Sequence, residues 1–570
     1  MEQNICQVET VTFNQKENEM VSVAEKILLQ NHLALIASGA SSCIRELYTK
    51  ARRIGKLTQF FPCEITKEEY AAGIQGQKIQ ESLEEALQVD GIEGIIIYAS
   101  CLDIMTQTDF EGIIQNLDNP KTIPIEVLYR GPLVKRYQKP SVILDEILER
   151  MPTNSDSKIK RSLTKLPPIF PDFNNICAAL QHWDSYIFLL TAGGCASVFF
   201  DTGTPDFPYH VKNSRLTDVQ ITMGCEEAIE NGVIKDFKES NKSEVFLLGS
   251  VVPAFTGVNY EQICDNLTKK GVSSIYLPSD GFAPGPVSTS KAMVTLAQRL
   301  LKPLPKEKGR INVLGYNPAV IGRENKISHG IEHMEWRGFI GTIWGKGGLE
   351  EAKKASSAEL NWVVSTEGLE LAKYMEKEFA IPYISGIPAG MQSMISWRKE
   401  VNVQMNRDDE ELPNIEIAKP MSQQIPILII GEPLLSISLE KAFHQTFGLL
   451  NTHRAAYAPF ASLRRFYKEQ LNEQTPEFFT NIEEFHQLLT SGGIVVADPI
   501  YKEYIDQMNL DCQFLPVPDP SISGSEYLDM DYAILGKKGG LYIRKFLEKC
   551  GIISDSENHQ GEEECHHPHM

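Results

Sequence analysis

His32-Leu33-Ala34-Leu35-Ile36-Ala37-Ser38-Gly39-Ala40-Ser41-Ser42-Cys43 is an apolar run that ends in small residues and a cysteine. Ile187-Phe188-Leu189-Leu190-Thr191-Ala192-Gly193-Gly194-Cys195 repeats it 152 residues later. The match continues downstream, where Gly94-Ile95-Ile96-Ile97-Tyr98-Ala99-Ser100-Cys101 corresponds to Glu244-Val245-Phe246-Leu247-Leu248-Gly249-Ser250-Val251. Cys43 and Cys101 lie 58 residues apart, and Cys195 and Val251 lie 56 apart, so the spacing repeats as well as the pattern. An apolar run closed by Gly, Ser or Ala reads as a buried strand entering a turn and a helix. A duplicated unit that places thiols just past such strands points to a soft-metal site between the two copies.

Similar runs recur at 33–37, 94–100, 187–191, 244–250, 273–278, 310–315, 338–344, 361–365, 425–430 and 493–497, separated by charged amphipathic stretches. This alternation predicts an α/β fold of multiple Rossmann-like, doubly wound parallel-sheet domains, which bind ligands beyond the carboxyl ends of their strands. At 570 residues the chain is too long for one core and accommodates three or four such units. Pro152-Thr153-Asn154-Ser155-Asp156-Ser157 through Leu166-Pro167-Pro168 reads as a linker. A second, charged break lies at Met405-Asn406-Arg407-Asp408-Asp409-Glu410-Glu411. The acidic stretch from Ser554 to Met570 is expected to be disordered.

A net charge of −20 argues against nucleic acid and anionic membrane as partners, since both reward basic surfaces. No run approaches the ~20 apolar residues that span a bilayer, and Met1-Glu2-Gln3-Asn4 does not begin a signal peptide. A cytoplasmic location is therefore expected, with small molecules and proteins as partners. In that compartment the 11 cysteines stay reduced. They form no CxxC pair, and the chain has no GxxxxGK[ST] loop, so any nucleotide hydrolysis falls to another protein.

Free cysteine is among the most buried residue types, so each thiol also has a reading as a small hydrophobe. Cys43, Cys101, Cys177 and Cys195, which fall at or before repeated strands, are the first candidates for cluster ligands. Cys225 lies 26 residues before Val251, as Gly76 lies 25 before Cys101. The second copy has thus lost one thiol and gained another, and Cys225 is either a swapped ligand or a packing group. Cys6 and Cys177 could be leading ligands of the two copies. Cys63 is expected in an exposed connection, and Cys264, Cys512 and Cys550 in packing roles. Cys565-His566-His567-Pro568-His569 suits nickel or zinc, with incidental or delivery-type binding as the more cautious reading. Glu432 and Asp498 follow strands, where they either contact a substrate or cap helices.

Cys177, Thr191-Ala192-Gly193-Gly194-Cys195, and Leu216-Thr217-Asp218-Val219-Gln220-Ile221-Thr222-Met223-Gly224-Cys225-Glu226-Glu227 together resemble the nitrogenase component 1 family. So do Ile311-Asn312-Val313-Leu314-Gly315-Tyr316, Ala380-Ile381-Pro382-Tyr383, and Gly492-Gly493-Ile494-Val495-Val496-Ala497-Asp498-Pro499. The family includes the catalytic subunits of nitrogenase, their cofactor-assembly scaffold and dark-operative protochlorophyllide reductase. The resemblance covers residues 170–548 as a whole subunit, while residues 1–150 resemble the first domain of another. It divides the chain into an extra amino-terminal first domain (1–150), a linker (151–168), a second copy of that domain (169–300), two Rossmann-like domains (301–420 and 421–550) and a Cys/His tail (551–570).

The resemblance implies a [4Fe-4S] or larger cluster between paired first domains. It also implies electron delivery by an ATP-hydrolysing iron–sulfur reductase protein, and a second component 1 subunit or a self-dimer. On this reading Cys6, Cys43 and Cys101 match the three ligands of one lobe, and Cys177 and Cys195 match two of the other, with Val251 in the third place. Leu277-Pro278-Ser279-Asp280-Gly281-Phe282 has no cysteine like the one that holds the nitrogen-reducing cofactor, so the expected substrate is not dinitrogen. The leading expectation is a cytoplasmic, oxygen-sensitive nitrogenase-like oxidoreductase component working under anaerobic conditions on an unidentified small molecule. The alternatives are a non-catalytic scaffold or carrier for metallocofactor assembly and a cluster-free binding protein. The two copies are expected to pair within one chain.

Overall fold

Strands rich in Leu, Ile and Val, with no polar alternation, are buried on both faces and carry the fold; all seven residues of Leu33–Gly39 are buried. The computed structural model describes residues 10–12, 22–130, 134, 138–153, 157–180, 182–183, 185–193, 195, 211–240, 242–321, 340–407, 417–524, 526–527, 532 and 534–553. The described residues form four sheets. The first contains β2 (Leu33–Gly39), β3 (Phe60–Glu64), β4 (Gly94–Ala99) and β5 (Ile125–Tyr129) in the order β3-β2-β4-β5. In the second, β1 (Thr10–Thr12) joins β6 (Tyr186–Leu189), β7 (Val211–Ser214), β8 (Val245–Leu248) and β9 (Ser274–Leu277) in the order β1-β7-β6-β8-β9. Apart from the antiparallel β1, the two sheets have one topology and parallel pairing throughout, and the sequence repeat is therefore a structural repeat.

The third sheet, of β10 (Arg310–Leu314), β11 (Ile340–Ile343), β12 (Leu360–Val363) and β13 (Tyr383–Ser385), keeps that order as β11-β10-β12-β13. The fourth contains β14 (Ile427–Ile430), β15 (Thr452–Tyr457), β16 (Glu477–Phe479), β17 (Ile494–Ala497) and β18 (Gln513–Pro516), ordered β16-β15-β14-β17-β18. In each sheet the winding reverses beside the first strand, between β2 and β4, β6 and β8, β10 and β12, or β14 and β17. Crevices at such reversals are where doubly wound folds bind ligands.

The connection after the first sheet is strapped down rather than loose. The Arg161 guanidinium donates to the Phe60 carbonyl at 3.1 Å and to Glu85 at 3.0 Å, and Lys165 donates to the Pro62 carbonyl at 3.0 Å. Further on, the buried Arg45 donates to the Pro168 carbonyl at 2.8 Å and stacks over Phe170. Arg52 reaches Glu503, Glu526 and Tyr527 of the fourth unit. Cys63 lies in β3, paired with Ser38 and 2 % exposed, and not in an exposed connection. Pro62 obscured this strand in the sequence, yet an edge strand tolerates proline. Among the described residues no helix is long and apolar enough to cross a membrane.

Candidate metal centre

The seam between the first two units is made by residues just beyond four strands: β2 and β4 of one copy, β6 and β8 of the other. β2 ends at Gly39, where a β-carbon would sit 3.1 Å from that of Ser100 and 3.2 Å from that of Cys43. Only glycine lets these two strand ends close up. Cys43 follows in the first turn of the helix Ser41–Arg53, and Cys101 opens the helix Cys101–Met105 immediately after β4.

Cys101 is fixed by Asp103, a carboxylate that the strand-end pattern did not single out. Asp103, 1 % exposed, accepts from the Ser100 amide at 2.7 Å, the Ser100 hydroxyl at 2.8 Å, the Tyr70 hydroxyl at 3.0 Å and the Ser38 hydroxyl at 3.1 Å. The Ser100 hydroxyl in turn accepts from the Asp103 amide, which completes a capping box around the thiol-bearing turn. Ser100-x-x-Asp103 is a readable cap signature, whereas the contributions of Ser38 and Tyr70 depend on the tertiary fold.

In the second copy Ser214 ties down the turn after β6. Its hydroxyl accepts from the Thr191 amide at 2.9 Å and donates to the Thr191 carbonyl at 3.1 Å. Cys195 then closes a turn onto the Ala192 carbonyl. Ser250 does not cap the helix Val251–Phe255 but donates to the Leu190 carbonyl at 2.7 Å. Val251 therefore stands at the position of Cys101, and Gly281 leaves it room, since a β-carbon there would come within 2.6 Å of a Val251 methyl.

The two copies meet in a crossed manner. Cys101 packs in one cluster with Ala192 and Val252, flanked by Cys195, Met105 and Ile221. Val251 enters the core of the first unit, against whose residues Cys43, Phe255 and Phe282 also pack. Cys195 packs beside Cys101 in this cluster, and the neighbouring Cys195 thiol, followed by burial, holds the Cys101 thiol far above its ordinary titration range. Burial, then the nearby Cys101, does the same to Cys43.

Cys195 lies beside Cys101 and Cys43 lies on the other side of Cys101, each at a strand end flanking a winding reversal. Cys177 is fully buried in a different cluster, with Phe173, Ile176 and Trp183, and burial followed by Asp172 raises its thiol. Cys225 packs among Ile229, Val233 and Tyr260, its thiol pushed up to about 12 by burial and then by Glu226. Cys264 is buried, Cys512 and Cys550 are half-buried, and Cys6 and the Cys/His tail lie outside the described residues. Among the described residues no three His, Cys, Asp or Glu side chains are close enough together to hold one metal ion. The seam offers three thiols drawn from both copies. It fits an iron–sulfur group in donor type and falls one short of the four thiolates that a [4Fe-4S] cluster takes.

A second set of carboxyls lies beyond strands of the third and fourth units. Glu432 caps the helix Pro433–Phe447 and accepts from the Thr366 amide at 2.7 Å. Asp498 accepts from the Ile500 amide at 3.0 Å and the Asp519 amide at 2.7 Å. Glu432 therefore takes the capping role its position allowed, whereas Asp498 caps no helix and ties the turn after β17 to the loop at Asp519. Glu367 lies beside Glu432 with an unpartnered buried Oε2, and burial followed by Glu432 pushes it up to about 8.

Comparison with known proteins agrees with this architecture. Residues 176–490 match the model of the nitrogenase component 1 type oxidoreductase family. Among solved structures, "Nitrogenase Cp1 at pH 6.5" aligns at 14 % identity and a TM-score of 0.51, covering 71 % of this chain and 96 % of its own. "Nitrogenase Cp1 at pH 5" aligns at 13 % identity and a TM-score of 0.46, covering 69 % and 91 %. At such identity the likeness is one of fold. No curated protein sequence matches the chain. With more than half its length matched by the family model, the chain belongs to the nitrogenase component 1 type oxidoreductases.

Proposed function

We propose that this chain is the substrate-reducing component of a two-protein system. It would take electrons from an ATP-hydrolysing iron–sulfur reductase protein and pass them to a small molecule other than dinitrogen. The observation that carries this reading is the packing of Cys195 of the second repeat against the cluster that holds Cys101 of the first. When bound, a [4Fe-4S] cluster would supply one-electron transfer. Cys43, Cys101 and Cys195 are its proposed ligands, and Cys6 is the proposed fourth. The antiparallel pairing Thr10↔Ser214 brings the chain to the carboxyl end of β7, beside the Thr191 turn that leads to Cys195. Cys177 and Cys225, in apolar surroundings, are proposed as packing thiols.

The test is iron and acid-labile sulfide on protein purified without oxygen, with an electron paramagnetic resonance spectrum of the reduced state. About four irons per chain are expected, lost in Cys195→Ala and Cys6→Ala and kept in Cys177→Ala. An iron-free protein after reconstitution would overturn the reading. The replacement of the third thiol by Val251 favours one rival, a scaffold that hands its metallocofactor to an acceptor. ATP-dependent turnover of any substrate would exclude it.

A further inference from the structure

The turn Thr366–Gly368, just beyond β12, lies where the winding of the third sheet reverses. Gly315, beyond the neighbouring β10, lets the turn close in: a β-carbon there would sit 2.5 Å from the Ser365 Oγ and 2.9 Å from the Gly368 amide. Glu432, beyond β14, fastens the turn to the fourth unit. It accepts from the Thr366 amide and hydroxyl and from the Leu435 amide. The carboxyl ends of β12 and β14, at which doubly wound folds bind ligands, are joined here.

Glu367 stands in the middle of this turn and is 5 % exposed. Its Oε1 takes one long bond, 3.5 Å, from Asn175 of the helix Asp172–Leu180, and its Oε2 has no partner. The fourth unit sets Glu432 and Asp519 beside it, together with Tyr467 of the helix Ala461–Leu471, whose phenol burial keeps neutral. The helix Leu369–Phe379 carries Glu370, which accepts from Ser290. The helix Gly285–Leu300 also packs on the turn, with Lys291 and Arg299 exposed. Among the described residues no cation is salt-bridged to Glu367, Glu432 or Asp519. Glu432, with three donors, is the carboxyl that carries the negative charge, and Glu367, with one weak donor, keeps its proton. Burial and then Glu432 push Glu367 up to about 8. A charge on Glu367 would stand beside that of Glu432 without a cation between them, and parting the turn from Glu432 to admit water relieves it. We propose that Thr366–Gly368 is a pH-dependent latch between the third and fourth units, closed while Glu367 is neutral and released when it is charged. The closed latch holds a proton that the open one gives up, so closure weakens as pH rises from the ordinary carboxyl range to about 8. The latch uses no cluster ligand and is independent of the proposed electron transfer.

The experiment is hydrogen–deuterium exchange of the full chain at about pH 6 and about pH 8, corrected for the intrinsic pH dependence of amide exchange, at short labelling times that report local opening. Protection of residues 366–371 and 433–436 is expected to fall at least about tenfold between the two, and to recover when the pH is returned. The helix Gln75–Leu87 of the first unit should keep its protection. Glu367→Gln, which fixes the neutral form, should keep the latch protected at both pH values. Equal latch protection at both pH values in the unaltered chain, an equal fall in the helix Gln75–Leu87, or the same fall in Glu367→Gln would each overturn the assignment.

Discussion

Replacing Asp103 tests whether the thiol-bearing turn is held by its carboxylate. Asp103→Ala removes the carboxylate half of the capping box on the helix Cys101–Met105, worth about 1 kcal/mol, while the Ser100 hydroxyl keeps the backbone amide of residue 103, and it leaves the Ser38 and Tyr70 hydroxyls without this acceptor. Each stranded hydroxyl costs about 1–3 kcal/mol. Part of this is offset, because burial raises the Asp103 carboxyl above its usual range and a costly buried charge disappears. The net local loss is about 2–4 kcal/mol. At about 1.4 kcal/mol per factor of ten, the amides of residues 101–106 should exchange with deuterium roughly 10²-fold faster. Asp103→Asn keeps one acceptor oxygen and should fall between the two. Because a chain with four sheets need not unfold in one step, this local readout is preferable to a global midpoint. Unchanged exchange in Asp103→Ala would refute the positioning role, and so would acceleration confined to distant segments.

The buried carboxyls set a pH dependence. Glu367 is pushed up to about 8 by burial and then Glu432, Asp519 to about 7 by burial and then Asp498, and Asp172 to about 7 by burial and then Asp280. The folded chain therefore holds more protons than the unfolded chain between about pH 4 and 8. Stability should fall as pH rises through that window, with Glu367→Gln flattening the slope, and a midpoint that climbs from pH 5 to 8 would contradict this. Air oxidation of iron-free protein should join Cys101 to Cys195, giving a cross-linked peptide pair by mass spectrometry; two free thiols after exhaustive oxidation would place them out of contact. Arg52→Met removes the ties to Glu503, Glu526 and Tyr527. At about 2 kcal/mol, this should speed protease cleavage between residues 151 and 168 roughly thirtyfold, and equal cleavage rates would show that the strap alone holds the units.

All ten strand runs read from the sequence are strands, because each is an apolar segment long enough to cross a buried sheet. The strands that escaped are mostly edges: β3 carries a proline, β5 alternates as Ile125-Glu126-Val127-Leu128-Tyr129, and β1 is three residues that add to the sheet of the other copy. Half-buried edges lack the continuous hydrophobicity that marks the centre of a parallel sheet. The thiols were legible as strand-end residues through the repeat, but their pairing was not. A sequence repeat aligns Cys43 with Cys195 and Cys101 with Val251, whereas the folded copies set Cys195 against Cys101 and bury Val251 in the opposite core. Cys225 shows the same limit: its spacing matches Gly76, yet its cluster includes Tyr260 of the helix Tyr260–Lys269, a tertiary contact that no spacing encodes.

The crossed packing gives the lost thiol a physical consequence. If the copies were chemically identical, each strand-end thiol after a first strand would face one after a third strand, and the seam would be symmetric. Val251 breaks that symmetry: Cys195 keeps a thiol neighbour in Cys101, while Cys43 packs on an apolar core that takes in Val251, 4 % exposed. A buried valine contributes about 1.5–3 kcal/mol of apolar burial and replaces a donor with docking surface between the two units. On the proposed reading the iron–sulfur group would therefore be held toward the Cys101–Cys195 side, and the missing donor would come from the segment leading into β1. β1 belongs to the first copy by sequence and to the second by strand pairing. The three-residue strand β1 thereby joins the amino-terminal end of the chain to the sheet of the second copy.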